Sequence, residues 1–475
     1  MNQPRARLQD ASKNNLPMLL AAYILCQPLL DVVTGLGAEF GQSLTAGVVI
    51  RSLFMVLAFF YAVFVSDYPG RKRVMLLTGA LVGYLMLFMI YMFSIGGLSL
   101  CIGNVREVVK TFFIPFVLIF LWSVYKQYGC LVTADVIALA GGLYASVIPI
   151  AVWTRSSFYS YGSSGYGARG WFYAANEVGC VMALTAPFTI WYCLQVVPTV
   201  TKKTWWKGAL AAWALFAVAY SANFLGTKII FGAITLYCAA AMIWQVVTAV
   251  REPSRTHTIQ AVVMAATLLM VIFRYVGSPL QGYFDNIYMP LLDNDPDLTL
   301  ASWGEEIQAA AKGTWLKELL SSNEKWERFD QILSRRLLSS APAVQVYTEG
   351  GVLAKLLGIG YANTDAYSRS MHFMVEMDPL SMLIRHGVAG LLLYYIPYLG
   401  FLGWAVAQFF QCPGQRMSSL HYCTALYCTL IGFGISTVAG HALVAPAVAT
   451  FILVVGFQLL DQTQRQNTPP KPKRR

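Results

Sequence analysis

The stretch Leu356–Leu393, LLGIGYANTDAYSRSMHFMVEMDPLSMLIRHGVAGLLL, changes character twice along its length. It opens as a small-residue turn at Gly358 and Gly360 and passes through a polar, ionisable segment. It then runs into an apolar helix carrying Gly387 and Gly390. Asp378-Pro379 predicts a helix start, with Asp as N-cap and Pro at the first helical position. His372, Glu376 and Asp378 therefore stand just ahead of a helix of membrane type, at the lip of a bilayer, within reach of a lipid-anchored substrate.

The rest of the chain supports the membrane assignment. Its 475 residues are 57% hydrophobic and 12% charged, with a mean hydropathy of +0.55, well above a soluble domain of that length. Repeated apolar runs near the roughly 20 residues that span a bilayer predict an all-α polytopic protein. Leu16–Leu36 lacks a small-residue cleavage site and reads as a first span rather than a signal peptide. None of the nine cysteines has CxxC or CxxH spacing. Most fall in apolar runs, so neither a disulfide framework nor a zinc site is expected. No cofactor motif and no metal-binding cluster is read.

Twelve spans are expected, near 16–36, 44–65, 74–94, 107–125, 132–153, 171–196, 207–224, 228–249, 258–276, 384–408, 419–436 and 442–460. The net charge of +11 does not indicate a nucleic-acid partner, because the basic residues sit in alternate short connections. Arg71-Lys72-Arg73, Lys126, Lys202-Lys203, Lys207, Arg251, Arg255 and Arg416 all fall on one side by this count. With basic residues at both ends of the chain, the positive-inside rule places both termini in the cytoplasm. The chain then divides into helices 1–9 (1–276), a large extracytoplasmic cap (277–379), helices 10–12 (380–460) and a basic tail (461–475). Within the cap, Trp303 to Leu320 and Lys325 to Leu338 read as helices.

Charges that break the pattern are the informative ones. Arg51 lies inside span 2 and Asp31 at similar depth in span 1. An intramembrane Arg costs several kcal/mol unless it is paired or faces water. The two are natural partners, whether as a structural pin or as part of a site. Arg106, Lys110, Arg155, Arg169, Lys228, Arg274 and Arg385 hug the opposite boundary from the basic connections. Cations on the disfavoured side suggest an anionic ligand, and the planar Arg fork suits a diphosphate. Asn176 and Glu177 open span 6 and need partners or water, either across helices or from a ligand. The break from Ser221 to Lys228 points the first amides of span 8 the same way, a ready anion site. Trp153 to Tyr173 is rich in aromatics, which suit either an interfacial belt or sugar stacking. His372 reads as a solvated or packing histidine, and His386, beside Arg385, as interfacial.

In these residues the chain resembles the O-antigen ligase-like membrane proteins, which include lipopolysaccharide O-antigen ligases and Wzy-type polysaccharide polymerases. It is similar in particular to the branch found in Gram-positive bacteria. The resemblance rests on Pro28-Leu-Leu-Asp31, Arg51, Arg169 with Asn176-Glu177, and Gly226-Thr-Lys228. It extends through Ser334-Arg335-Arg336 ahead of Leu357-Gly-Ile-Gly360, Glu376-Met-Asp378 ahead of Gly387-Val-Ala-Gly390, and Gly440-His441. It implies a GT-C-like glycosyltransferase in the plasma membrane that works on the extracytoplasmic face. The donor would be an undecaprenyl-diphosphate-linked glycan and the acceptor a hydroxyl on another glycan or lipid, with membrane lipid and other polysaccharide-assembly proteins as partners. The better-known ligases carry a His-Asn-type motif eleven residues before the first glycine of a Gly-x-x-Gly pair. Counting back eleven from Gly387 gives Glu376, with His372 four residues too early. Glu376, Asp378 and His441 are the candidate catalytic bases, with Glu376 first by that count. Arg51, Arg169, Asn176, Glu177, Lys228, Arg336 and Arg385 are the candidate substrate-binding residues.

Two other classes fit a polytopic chain: a transporter or flippase of lipid-linked or anionic glycans, and a non-catalytic member of an envelope-assembly complex. Transporters often repeat one half of the chain in the other and break helices at the midplane. Here the halves are dissimilar and the ionisable residues gather at one boundary. A metal-independent transfer is the simplest expectation, because Arg and Lys already supply charge for a departing diphosphate.

Overall fold

The computed structural model describes residues 3–42, 45–129, 131–161, 166–288, 311–333, 335–361, 375–438 and 440–467, without the side chains of 3–14, 161, 287, 288 and 332. His372, Trp303, Ser334 and the C-terminal basic cluster lie outside the described residues. Apolar runs become helices that end where charged or turn-forming residues arrive. In order, they are α1 (Gln3–Glu39), α2 (Ala46–Phe60, closed by a π turn Tyr61–Val65), α3 (Arg71–Thr111), α4 (Phe113–Tyr128), α5 (Ala134–Trp153) and α6 (Ala175–Val196). There follow α7 (Trp205–Phe224), α8 (Lys228–Arg251), α9 (Arg255–Tyr275) and the short α10 (Pro279–Tyr283). Next come α11 (Trp315–Ser321), α12 (Glu324–Ile332), α13 (Arg336–Glu349) and α14 (Val352–Leu357). The chain closes with α15 (Asp378–Gln411), α16 (Pro413–Met417), α17 (Leu420–Val438) and α18 (Pro446–Asn467). Among the described residues, nine helices are long and apolar enough to cross a membrane. The protein is all-α and polytopic.

Helix α6 forms the axis of the bundle, packed against α5, α7, α8, α17 and α18. Helix α18 is buried along nearly all of its length, from Ala447 to Thr463. Apolar side chains stay exposed on α1, α2 and α3, among them Leu53, Leu57, Leu76, Leu87 and Ile90, as expected of surfaces that face lipid. The end of the bundle at which α1 stops also carries α13 and α14, and is called the cap end below.

Three local features differ from the expectation. First, the connection expected at 95–106 is helical: α3 bends at Gly97 (φ 67°, ψ −159°) and resumes to Thr111. The residues after Gly97 are themselves helix-compatible, so only the glycine interrupts the run. Second, α6 begins at Ala175, not near 171, because a hairpin precedes it. Strands β1 (Phe158–Tyr161) and β2 (Tyr166–Gly170) pair antiparallel, with Tyr159 opposite Ala168 and Tyr161 opposite Tyr166. Aromatics on both sides of a Gly/Ser-rich stretch of sequence favour such pairing. Third, Asp378 is the first residue of α15 and Met377 is its N-cap, without a side-chain cap bond. The Asp378 carboxylate is engaged elsewhere, as described below. The same helix breaks at Gly387 (φ 66°, ψ −174°).

Candidate active site

The cap-end tips of α1, α2, α3, α6, α15 and α18 surround a cavity of about 680 Å³. Its wall carries Asp31, Arg51, Arg106, Glu107, Lys110, Glu177, Tyr361, Arg385 and His441, beside apolar Phe113, Phe172 and Val444. A second cavity of about 530 Å³ lies between α3, α4, α15 and α18 and is lined mainly by Leu, Ile and aromatic residues. Only the first concentrates ionisable groups, which makes it the candidate site.

Arg51 is 7% exposed and fully engaged with α1. Its Nε and Nη2 donate to Gln27 Oε1 at 2.9 and 2.8 Å, and Nη2 also donates to Asp31 Oδ1 at 2.6 Å. The other Asp31 oxygen accepts from the Tyr144 hydroxyl on α5. Asp31 and Arg51 thus form the expected pair, extended by two residues with no charge of their own. The network draws α1, α2 and α5 together at the cavity floor.

The helix break at Gly387 builds the opposite wall. Backbone from the Leu357-Gly358-Ile359-Gly360 turn lies directly on it, and Ile359 N donates to Ile384 O at 2.9 Å. A Cβ on Gly358 would meet Arg385 O at 2.2 Å, and one on Gly387 would meet Leu356 C and O at 2.4 Å. Both glycines also have positive φ, so no other residue fits either position. This contact presents Arg385 to the cavity, with its guanidinium 4.5 Å above the Tyr361 ring. His386 points the other way. It is 0% exposed rather than interfacial, packed between Phe88 and Phe112, since consecutive helical residues face different ways.

The three candidate bases occupy different environments. Asp378 is 0% exposed, and its Oδ2 accepts from Ala442 N at 3.0 Å and Leu443 N at 2.7 Å. It clamps the turn leading into α18 and does not line the cavity. Glu376 accepts from Arg336 Nε at 2.5 Å, and Arg336 Nη1 also donates to Val438 O at 2.9 Å. Arg336 is set in turn by Asp330, whose Oδ1 accepts from the amides of Leu337 and Leu338 at the start of α13. Burial pushes the Asp330 carboxyl up, against those amide bonds. His441 lines the cavity with a left-handed backbone (φ 53°), a conformation in which His is enriched among non-glycine residues. Burial holds its imidazole below the usual histidine range; the nearby Glu376 opposes that shift, and Arg385 and Arg336 add to it. Gly440 beside it packs so closely that a Cβ would meet Glu376 O at 1.5 Å.

The remaining expected residues scatter around this centre. Arg385, Arg51 and Glu177 line the cavity. Arg169 does not: its guanidinium bonds the Glu39 carboxylate and the Tyr173 carbonyl and lies 5.5 Å from the Phe158 ring. It therefore braces the hairpin against the end of α1, while Tyr173 and Ala38 form the rim. Asn176 is exposed and Lys228 opens α8; neither lines the cavity. Arg106 and Lys110, boundary charges in the sequence, line the cavity with Glu107, which carries no signal there. Glu107 accepts from Lys110 at 2.9 Å. Tyr361, Gln27 and Tyr144 carried no signal, since single hydroxyls and amides in apolar runs are common.

The chain matches no curated protein. Residues 13–465, which include the whole cavity wall, match the family of O-antigen ligase like membrane proteins, and the chain belongs to that family.

Proposed function

We propose that this protein transfers a glycan from an undecaprenyl-diphosphate carrier to an acceptor hydroxyl, polymerising or ligating a cell-surface polysaccharide. Family membership implies a multi-pass membrane protein with a glycosyltransferase-like activity in polysaccharide ligation or polymerisation. The observation that most supports the finer reading is the cavity itself. Arg51, Arg106, Lys110 and Arg385 converge there with His441, at the ends of apolar helices. In this proposal the cap end faces outward and both termini lie in the cytoplasm. The carrier's polyprenyl chain stays in lipid while its diphosphate enters the cavity.

In the proposed step, the acceptor oxygen bonds to the anomeric carbon as the bond from that carbon to the diphosphate oxygen breaks. The hydroxyl proton passes to His441, and the leaving diphosphate keeps the electron pair. An imidazole held neutral at physiological pH is ready to accept that proton. Glu376 stabilises the resulting imidazolium and is itself held by Arg336. Preorganised cations act where the diphosphate gains charge, and losing one such donor costs on the order of 10²–10³ in rate. Arg169 supports the site as a brace, and Asp378 as a clamp. Asn176 and Lys228 stand at its approaches, where a long glycan would pass.

The test uses full-length protein in liposomes with an undecaprenyl-diphosphate-linked glycan and an acceptor glycan. His441→Gln and Glu376→Gln are expected to insert normally, leave the lipid-linked donor unconsumed and form no extended product. Wild-type transfer by both variants would sink the assignment. Movement of the donor between leaflets without transfer by the wild type would favour a flippase.

A further inference from the structure

Tyr361 and His386 form a polar chain whose proton positions follow from donor counting. The Tyr84 hydroxyl donates to His386 O at 2.7 Å and lies 3.3 Å from His386 Nδ1. Its one proton is spent on the carbonyl, so Nδ1 must carry the hydrogen in that second contact. Nε2 is then an acceptor, and the Tyr361 hydroxyl, 3.0 Å away, donates to it. The Thr111 hydroxyl, also bonded to Tyr361 OH, is left as the donor to that oxygen. Tyr361 N donates to Asn104 Oδ1 at 2.6 Å. Both ends of this residue are therefore fixed, by α3 on one side and by the broken helix α15 on the other.

What this anchoring holds is the ring beneath Arg385. The guanidinium sits 4.5 Å above it, while Arg385 Nε is buried without a hydrogen-bond partner among the described residues. No ion pair involving Arg385 is present among them either. A buried cation with an unanswered donor, supported from below by an aromatic face, is arranged to receive an anion from the cavity side. We infer that Tyr361 is a positioning residue, locked by His386 and Thr111, that aims Arg385 at the anionic part of the ligand. This rests on the diphosphate reading above and adds to it the part that sets the geometry of one cation. Arg51 needs no such support, since Gln27 and Asp31 already hold its fork.

The experiment measures binding of geranylgeranyl diphosphate, a short lipid diphosphate, to purified full-length protein in nanodiscs. The proteins are wild type, Tyr361→Phe, Tyr361→Leu, Arg385→Gln, and Arg385→Gln combined with Tyr361→Leu. Tyr361→Leu removes the aromatic face and is expected to raise Kd about tenfold. Tyr361→Phe keeps the face and loses both hydroxyl bonds, and is expected to raise Kd about threefold. In the Arg385→Gln background, Tyr361→Leu should have no further effect, because the two residues act as one unit. A purely structural tyrosine would instead weaken binding equally in both backgrounds, and that result overturns the inference alone. Unchanged binding in Tyr361→Leu and Tyr361→Phe, with Arg385→Gln impaired, overturns it too. A wild type that does not bind the probe overturns the diphosphate reading, and this inference with it.

Discussion

Replacing Arg51 by Met separates its two roles, holding α1 to α2 and facing the cavity. Arg51 makes two hydrogen bonds to Gln27 Oε1 and one to Asp31, and the Asp31 side chain is only 13% exposed. Removing the guanidinium leaves the Asp31 carboxylate buried, with the Tyr144 hydroxyl as its remaining partner. Breaking one side of a buried pair costs about 3–5 kcal/mol. Arg51→Met should therefore lose that much stability, read as resistance to denaturant in detergent micelles. Adding Asp31→Asn removes the stranded charge. The double variant then lacks only a donor for Gln27, worth about 1 kcal/mol, so most of the stability should return. Transfer activity should not return, because the cavity has lost a cation. A double variant that regains both stability and wild-type transfer would refute the clamp and leave Arg51 as a pin between helices. Full stability in Arg51→Met alone would refute the account of its burial.

The remaining expectations are shorter. Because burial holds His441 below the usual histidine range, the acid limb of kcat/KM should fall below about pH 6.5. Arg336 helps to hold it there, so any residual activity of Arg336→Gln should show a limb moved to higher pH; a limb moved lower, or unmoved, contradicts His441 as the titrating group. Asp378→Asn keeps an oxygen for the Ala442 and Leu443 amides and should fold and transfer nearly normally, whereas Asp378→Ala should be poorly folded. A well-folded but inactive Asp378→Asn would return the role of base to Asp378. Cysteine labelling in a cysteine-free background should find Ser322 outside and Ser418 inside; both are exposed, and the reverse pattern would invert the proposed orientation.

How much of this was legible depended on the range of the interaction that decides each feature. Helix positions follow from apolar runs, a local property, and the expected runs coincide with helices through most of the chain. The Asp31–Arg51 pair was legible because each charge sits in an apolar run, where burial compels a partner. Asp378 was misread because its local context, Asp before Pro, is a capping pattern, while its true partners lie more than 60 positions away at Ala442 and Leu443. The same holds for His386: a histidine after an arginine looks interfacial until Phe88 and Phe112, distant in sequence, close over it. The hairpin before α6 was hidden by its own composition, since aromatics at that boundary also suit a membrane belt. Arg169 was legible as an unusual cation, but its engagement with Glu39 depends on the hairpin meeting the end of α1.

The glycine break in α15 explains why the site lies where it does. A helix inside a bilayer cannot leave backbone groups unpaired, so irregular backbone is tolerated only where protein or a water-filled cavity covers it. Among the described residues, two long helices carry non-helical backbone inside their spans, α3 at Gly97 and α15 at Gly387. The segment from Gly358 to Tyr361 packs between these helices: Gly360 against Met92 and Asn104 of α3, and Gly358 against Arg385 and His386 of α15. It covers the break at Gly387, and Ile359 and Tyr361 bond across with their backbone amides. Arg385 and His386, the two residues before the break, project in different directions, as neighbours on a helix do, so α15 offers a cation to the cavity while burying the group that steadies Tyr361.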